Sequence, residues 1–160
     1  MTTIERSIEL DVPASVAYAC WTQFERFPHF MEGVEYVRQI DDRHLRWRAD
    51  VFGVTEEWDA EITEQILDKR IAWKSVNGTP NSGVVTFHRL SDEHSRVMLQ
   101  MIYEPAGVGQ RIGDLLGLLG RRIEGDLKRF KTFVEKRGEA IDGWRGEVSA
   151  KDDEAQAARP

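Results

Sequence analysis

Three polar side chains occupy alternating strand positions that are predicted to face the interior. They are the residues best suited to chemistry. Ser75 and Tyr103 carry hydroxyl groups, and Glu56 carries a carboxyl group at the open end of its strand. A buried carboxyl group has a raised pKa and can act as a general acid or base. A glutamate at a strand end is otherwise an ordinary solvated group, so both interpretations of Glu56 stay open.

Histidine and cysteine residues form no recognisable site. His29, His44, His88 and His94 lack the spacing of zinc ligands, so we predict no metal. Cys20 is the single cysteine, which excludes a disulfide within the chain, and its apolar surroundings are typical of a small buried side chain. The chain also lacks the GxSxG, P-loop and GxGxxG motifs. The sequence therefore predicts no cofactor.

The charge balance argues against a nucleic-acid partner. The formal net charge is −6, whereas binding to a phosphate backbone needs clustered Lys and Arg. The densest basic set lies between Arg121 and Lys131, but Glu124 and Asp126 interrupt it, which is typical of a solvated helix face. No apolar run approaches the roughly 20 residues of a membrane span, and the N-terminus lacks the apolar region of a signal peptide. We therefore expect a cytoplasmic protein without stable membrane insertion.

Hydrophobic periodicity divides the chain into successive elements. Residues 3–12 alternate as a half-buried strand, residues 13–22 form a short helix, and residues 24–31 form at most one further short helix. From Val34 to Glu104, six alternating stretches are separated by turn signals, which predicts an antiparallel meander. Residues 108–136 carry an apolar stripe with steps of three and four, as in a long amphipathic helix.

The length and composition predict one domain over residues 1–137 and a polar tail over residues 138–160. A chain of 160 residues is long enough for one substantial core. The tail has too little apolar area to offset the entropy of ordering, so we expect it to be flexible. Trp144 is the exception, and its large apolar side chain is expected to hold the tail against the domain.

The predicted sheet must cover its apolar face, and only the long helix has the length and the stripe to do so. The sheet should therefore curl around that helix, with the short helices closing one end, and leave an interior space. Gly117 and Gly120 lie inside the helix, where each glycine costs about 1 kcal/mol relative to alanine. They indicate either close packing against the sheet or space for a ligand.

The order of elements and several segments resemble a known superfamily. The segment PASVAYACWTQFERFPHFMEGV, the strand WDAEI, the strand pair VTFHRL and RVMLQMIYEP, and the helix LLGLLGRRIEGDLKRFKTFVE are similar to the START-like, helix-grip (SRPBCC) superfamily. Within it they resemble the polyketide cyclase/dehydrase and coenzyme Q-binding START-type branch, over about residues 3–137.

The resemblance implies an α+β helix-grip (Bet v 1-like) fold. In that fold a curved antiparallel sheet of about seven strands wraps a long C-terminal helix, and two short helices follow the first strand. It also implies binding of lipids, quinones, polyketides or plant hormones. A few members catalyse cyclisation or dehydration, and some associate with ribosomes. No catalytic residue carries over to this chain.

The interior is predicted to be almost wholly apolar, as in a generic ligand site. Tryptophan faces suit a planar or prenylated ligand, although each tryptophan would also fill a core. Steps of three residues drift against the 3.6-residue period of an α-helix. We therefore predict that Trp21, Phe24 and Phe27 seal the core, while Phe30 and Met31 rim the entrance. The predicted ligand-binding set is Phe27, Phe30, Met31, Trp47, Ala49, Val51, Trp58, Ala60, Trp73, Ser75, Val85, Phe87, Leu99, Met101, Tyr103, Ile112, Leu116 and Leu119.

Three functions are compatible with this reasoning. The first is a non-catalytic carrier or sensor for a small hydrophobic molecule such as a quinone, a lipid or an aromatic polyketide. The second is a polyketide aromatase/cyclase or dehydratase that uses Tyr103, Ser75 or Glu56. The third is a protein-interaction module associated with ribosomes or chaperones. A monomer or a homodimer is expected in each case.

Overall fold

A computed structural model of the protein describes residues 3–51, 53–103 and 112–137. The predicted tail with Trp144, and residues 108–111 of the predicted long helix, lie outside the described residues. In chain order the elements are β1 (Thr3–Leu10), α1 (Ala14–Trp21), a 3₁₀ helix (Phe24–His29), β2 (Val34–Gln39), β3 (His44–Val51), β4 (Val54–Ile66), β5 (Arg70–Gly78), β6 (Asn81–Arg89), β7 (Ser95–Tyr103) and α2 (Ile112–Arg137).

The seven strands form one antiparallel sheet in the order β1-β7-β6-β5-β4-β3-β2. All but one of the pairings join strands that follow one another in the chain, as a meander requires. The exception joins β1 to β7, the first and last strands in the chain, with Ile4 opposite Met101. The curled sheet, the C-terminal helix and the short helices confirm the predicted helix-grip fold.

The apolar stripe of α2 packs against the concave side of the sheet. Leu119, Ile123, Leu127, Phe130 and Val134 are all buried, and they recur at the steps of three and four that predicted the helix. No helix in the described part of the chain is both long and apolar enough to cross a membrane.

Gly120 is a point of close approach between α2 and β1. A Cβ atom at this position would lie against the Arg6 guanidinium, 3.1 Å from its Cζ atom and nearer still to Nη2. Arg6 interrupts the apolar side of β1, and its Nε atom forms an ion pair of 2.9 Å with Glu124 on α2. Close packing therefore accounts for Gly120. Gly117 differs, because a Cβ there would meet nothing nearer than the Arg121 guanidinium at 4.0 Å.

A bulge in β4 changes which side chains face the interior. The pairing of β4 with β5 shifts register between Ile62 and Glu64, and a bulge of this kind turns the following residues relative to the regular alternation. Gln65 thereby faces inward and is buried. Its Nε2 donates a hydrogen bond of 2.9 Å to the hydroxyl of buried Tyr18 on α1, which satisfies both polar groups.

The outer face of the sheet carries ion pairs between neighbouring strands. Arg46 on β3 contacts Asp59 on β4 at 2.9 Å, and Asn77 Nδ2 donates to the same carboxylate at 2.7 Å. Hydrogen bonds from Arg46 and Asn77 hold the pKa of Asp59 below its usual range. Arg48 likewise lies between Glu35 and Glu57.

Candidate ligand-binding site

A cavity of about 160 Å³ lies between the concave face of the sheet, the 3₁₀ helix and α2. An engineered apolar cavity of about 150 Å³ takes up benzene, so this space suits a small aromatic molecule. All but four of the described residues that line the cavity are apolar, and the four polar ones are Glu32, Asn81, Arg122 and Asp126.

Aromatic rings form one side of the cavity. Trp47 on β3 and Trp58 on β4 are directly opposite each other in the sheet. Their rings stack with centroids 5.5 Å apart and an interplanar angle of 11°. Phe27 from the 3₁₀ helix contacts Trp47 at a centroid distance of 5.4 Å. The register of two strands therefore presents flat apolar faces to the interior.

Trp73 on β5 forms a second wall of the cavity. A hydrogen bond to Asn81 and the absence of a side chain at Gly83 determine its position. Its Nε1 donates a hydrogen bond of 3.0 Å to Oδ1 of Asn81. The indole lies over Gly83 on β6, where a Cβ atom would come within 2.7 Å of the ring. A larger residue at position 83 would push Trp73 into the cavity, so Gly83 helps to keep the space open.

Asn81 is a cavity residue whose other polar groups are also engaged. Its Nδ2 donates to the Thr79 carbonyl oxygen at 3.0 Å, and its backbone N–H donates to Ser75 Oγ at 3.1 Å. Asn81, the first residue of β6, is therefore held in place beside the β5–β6 turn and supports the Trp73 indole.

Asp126 of α2 is one of the four polar residues that line the cavity. Oδ1 of Asp126 accepts a hydrogen bond of 3.0 Å from the Glu32 backbone N–H and another from the Arg129 guanidinium. Burial raises the pKa of Asp126, and the bonds from Arg129 and Glu32 offset part of that rise. Asp126 thus joins α2 to the loop before β2.

Arg122 lies one helical turn before Asp126 and also lines the cavity. Its guanidinium lies against Gly33, where any Cβ atom would collide with it and would also lie 2.5 Å from the Asp50 carbonyl oxygen. Gly33 has a φ of 84°, in the left-handed region that favours glycine. The conformation and the missing side chain of Gly33 together leave room for the Arg122 guanidinium at this edge.

Ten residues of the predicted ligand-binding set line the cavity: Phe27, Met31, Trp47, Val51, Trp58, Ala60, Trp73, Leu99, Met101 and Leu119. Ala49, Val85 and Phe87 are buried, but they pack in the core rather than around the cavity. The side chains of Tyr103, Ile112 and Leu116 lie outside the described residues.

The prediction that Phe30 rims the entrance is wrong. Phe30 is only 2% exposed, and its ring packs against Phe130 of α2 with centroids 5.1 Å apart. The reason is the helix type, because Phe24–His29 is a 3₁₀ helix with three residues per turn. Steps of three therefore keep Phe24, Phe27 and the capping Phe30 on one side, which an α-helical period would not.

The structure distinguishes between the two interpretations of Glu56 and places Ser75 outside the cavity lining. Glu56 is not a solvated strand-end residue, since it is 4% exposed and accepts a hydrogen bond from the hydroxyl of buried Thr79. It does not line the cavity. Ser75 also does not line the cavity, and its Oγ accepts the bond from the Asn81 N–H.

Sequence reasoning missed the four polar residues of the cavity. Asn81 lies in NGTPNSG, one of the stretches interpreted as turn signals, and Arg122 and Asp126 lie in the charged run interpreted as a solvated face. A usable signal was present, because these two lie four residues apart beside Leu119, Ile123 and Leu127 of the apolar stripe. Within the described residues, no group of three or more His, Cys, Asp or Glu side chains is placed to hold a metal ion.

A family model described as polyketide cyclase / dehydrase and lipid transport matches residues 10–132, which is most of the chain. The protein belongs to the polyketide cyclase/dehydrase and lipid transport family. Membership supports a role in hydrophobic ligand binding or cyclisation without specifying the ligand. It also agrees with the START-like resemblance of the sequence.

Relatives of this family member include an uncharacterized 17.2 kDa protein of Streptomyces lincolnensis from the melC2-rnhH intergenic region. It is 53% identical over 149 residues, covering 92% of this chain and 99% of the relative. A START superfamily protein from Mycobacterium smegmatis has a TM-score of 0.71 at 12% identity, covering 84% and 98% of the two chains. The Zhui aromatase/cyclase from Streptomyces has a TM-score of 0.70 at 16% identity, covering 89% and 99%. These two structures show the shared fold.

Proposed function

We propose that this protein is a carrier or sensor that holds one compact apolar molecule in the cavity between the sheet and α2. The observation that carries the proposal is the cavity itself, about 160 Å³ of space with an almost wholly apolar lining. A site of this kind gains affinity from buried apolar surface and orientation from a few polar groups.

The polar groups near the cavity support binding more than catalysis. Asn81 uses its side chain to hold Trp73 and the Thr79 carbonyl oxygen. Glu56 is bound to Thr79 outside the lining, and Ser75 accepts a backbone hydrogen bond. General acid–base catalysis needs a proton carrier within reach of the substrate, and neither Glu56 nor Ser75 is placed to be one.

A cyclase remains the second candidate because of Asp126. This carboxyl group lines the cavity, and burial raises its pKa, which is the environment of many general acids and bases. If the protein is a cyclase, Asp126→Asn should abolish turnover of a poly-β-keto substrate and leave its binding intact. Retained turnover in this variant would count against Asp126 as the proton carrier.

The proposal is tested by filling the cavity. Ala60 is buried and lines the cavity, whereas Val76 is exposed. A thermal-shift panel of quinones, lipids and aromatic polyketides should give stabilising hits for the wild type and for the matched control Val76→Trp, but none for Ala60→Trp. Equal hits for all three proteins would contradict binding in the cavity. A partner protein that is still captured by Ala60→Trp would favour the interaction-module hypothesis.

The cytoplasmic location and the monomeric or homodimeric state stay predictions. Both are compatible with a carrier of a small molecule. Size-exclusion chromatography with light scattering would determine the number of chains in solution.

A further inference from the structure

Gly83 on β6 lies between two residues of the cavity wall. It is directly opposite Trp73 on β5 and Met101 on β7. Both of these side chains line the cavity, whereas Gly83 is not among the described residues that line it. The Trp73 indole is the reason, because its ring occupies the space that a side chain at position 83 would fill. The wall of the cavity above Gly83 is therefore made by its neighbour on β5.

Close packing, and not backbone conformation, requires a glycine at position 83. Gly83 does not have a positive φ, so its backbone conformation is open to other residues. A Cβ atom there would lie 2.7 Å from Cη2 and 2.8 Å from Cζ2 of Trp73, and 2.6 Å from the Gln100 carbonyl oxygen. Carbon atoms in ordinary contact are about 3.5–4.0 Å apart. The missing side chain thus lets the indole lie directly against β6, a close approach of the kind that glycine in a strand permits.

A hydrogen bond holds the indole in this position. Trp73 Nε1 donates to Asn81 Oδ1 at 3.0 Å, and Asn81 Nδ2 donates in turn to the Thr79 carbonyl oxygen. A side chain at position 83 would displace the ring from the sheet by about 1 Å before ordinary contact is restored. That direction leads into the cavity, because the indole lies between Gly83 and the interior space. The depth of the cavity therefore depends on a residue outside its lining.

We infer that Gly83 and Trp73 form the size-selecting element of the cavity and that the ligand is a flat molecule of one or two aromatic rings. This inference rests on the proposed function and names its ligand class. The volume of about 160 Å³ is close to that of an engineered apolar cavity that binds benzene. The stacked pair of Trp47 and Trp58 adds flat aromatic surface to the same lining. One aromatic layer needs about 3.5 Å of depth, so a shift of the indole by about 1 Å removes a large part of the room.

Two neutral probes of different size test the inference, phenol with one ring and 2-naphthol with two. Isothermal titration calorimetry should show that Gly83→Ala weakens binding of 2-naphthol by about tenfold or more and binding of phenol by less than about threefold. In a Trp73→Leu background, the same substitution should weaken binding of 2-naphthol by less than about threefold, because no indole is left to be displaced. Gly117 on α2 is exposed, and a Cβ atom there meets nothing nearer than 4.0 Å. Gly117→Ala is therefore the matched control and should bind both probes like the wild type.

Two further measurements examine the indole directly. Trp73→Leu alone should take up the three-ring probe 2-anthrol, which the wild type should exclude, and this result decides the inference even if Gly83→Ala does not fold. The Trp73 indole N–H resonance can be assigned in a proton–nitrogen NMR spectrum by its absence in Trp73→Leu. Without any ligand, this resonance should shift in Gly83→Ala and stay in place in Gly117→Ala.

The outcomes separate this inference from the proposed function. Three results would overturn the size-selecting element and leave the cavity proposal standing: equal weakening of 2-naphthol binding by Gly83→Ala with and without the indole, an unmoved Trp73 resonance, or equal binding of 2-anthrol by the wild type and Trp73→Leu. If the wild type binds neither phenol nor 2-naphthol but an apolar molecule of another class co-purifies, the ligand class is wrong and the cavity proposal again stands. If neither probe binds and nothing co-purifies, both fail.

Discussion

Trp73 and Asn81 are joined by a hydrogen bond of 3.0 Å from the indole Nε1 to the amide Oδ1. Asn81 is in turn held by the Thr79 carbonyl oxygen. An indole N–H in an apolar cavity needs a partner, and Asn81 supplies it from the strand next to β5. This hydrogen bond therefore restrains the Trp73 indole, which forms part of the cavity wall.

Removing the amide should release this wall. Asn81→Leu removes the side-chain hydrogen bonds to Trp73 and to the Thr79 carbonyl oxygen. It is expected to lower the free energy of unfolding by about 2 kcal/mol, at about 1 kcal/mol for each bond, and to shift the tryptophan emission. Urea denaturation followed by fluorescence measures both effects. In a Trp73→Phe background, which has no indole N–H, Asn81→Leu should cost clearly less. The same cost in both backgrounds would show that the bond does not fix the wall.

Phe30 and Met31 are neighbours in sequence with different roles in the structure. Phe30 packs in the core, whereas Met31 lines the cavity. Phe30→Ala should therefore destabilise the fold by about 3–5 kcal/mol, as for other buried phenylalanines. Met31→Ala should cost less stability and weaken binding of an apolar ligand more. Chemical denaturation together with calorimetry compares them, and a stable Phe30→Ala protein with weak binding would restore the entrance role.

The sequence predicted the parts of the fold that depend on repeated patterns. Alternation predicted the strands, and the stripe containing Leu119, Ile123 and Leu127 predicted the helix that the sheet wraps. Departures from the regular helix and strand periods were not predicted. The 3₁₀ period that buries Phe30 and the bulge that turns Gln65 inward were missed, because the sequence analysis assumed an α-helical period and regular strand alternation.

The apolar part of the candidate site followed from strand parity, and its polar part did not. Trp47, Trp58 and Trp73 all line the cavity as their parity indicated. Asn81 was missed because the sequence analysis assigned it to a turn, where inward and outward positions do not alternate, whereas the structure makes it the first residue of β6. Arg122 was missed because its neighbour Gly33 provides the space it occupies, and nothing in sequence spacing joins two residues so far apart.

The raised pKa of Asp126 predicts a pH-dependent stability. Burial is the main cause, so the folded protein binds the Asp126 proton more tightly than the unfolded chain does. The resulting stabilisation is fully present below the ordinary aspartate pKa of about 3.9 and is lost as the pH rises through the higher pKa of the folded state. Asp126→Asn has no carboxyl group to ionise at this position and does not lose this stabilisation. Its free energy of unfolding relative to the wild type should therefore rise over the same pH range.

Asp59 provides a control with the opposite sign. Its pKa is lowered, first by the hydrogen bond from Arg46. The wild type should therefore have a higher free energy of unfolding than Asp59→Asn above about pH 4. This difference should disappear as the pH falls through the lowered folded-state pKa of Asp59. Thermal denaturation across a pH series measures both differences. Parallel curves for the two variants would contradict the assigned environments of both carboxyl groups.

Native mass spectrometry of protein purified from its own host tests the central claim most directly. Three proteins are compared: the wild type, Ala60→Trp with a filled cavity, and Val76→Trp with an altered exposed position. Binding of a compact apolar molecule in the cavity predicts the same small adduct on the wild type and on Val76→Trp, and none on Ala60→Trp. An adduct that persists on Ala60→Trp, or a wild-type protein that carries none, would contradict it.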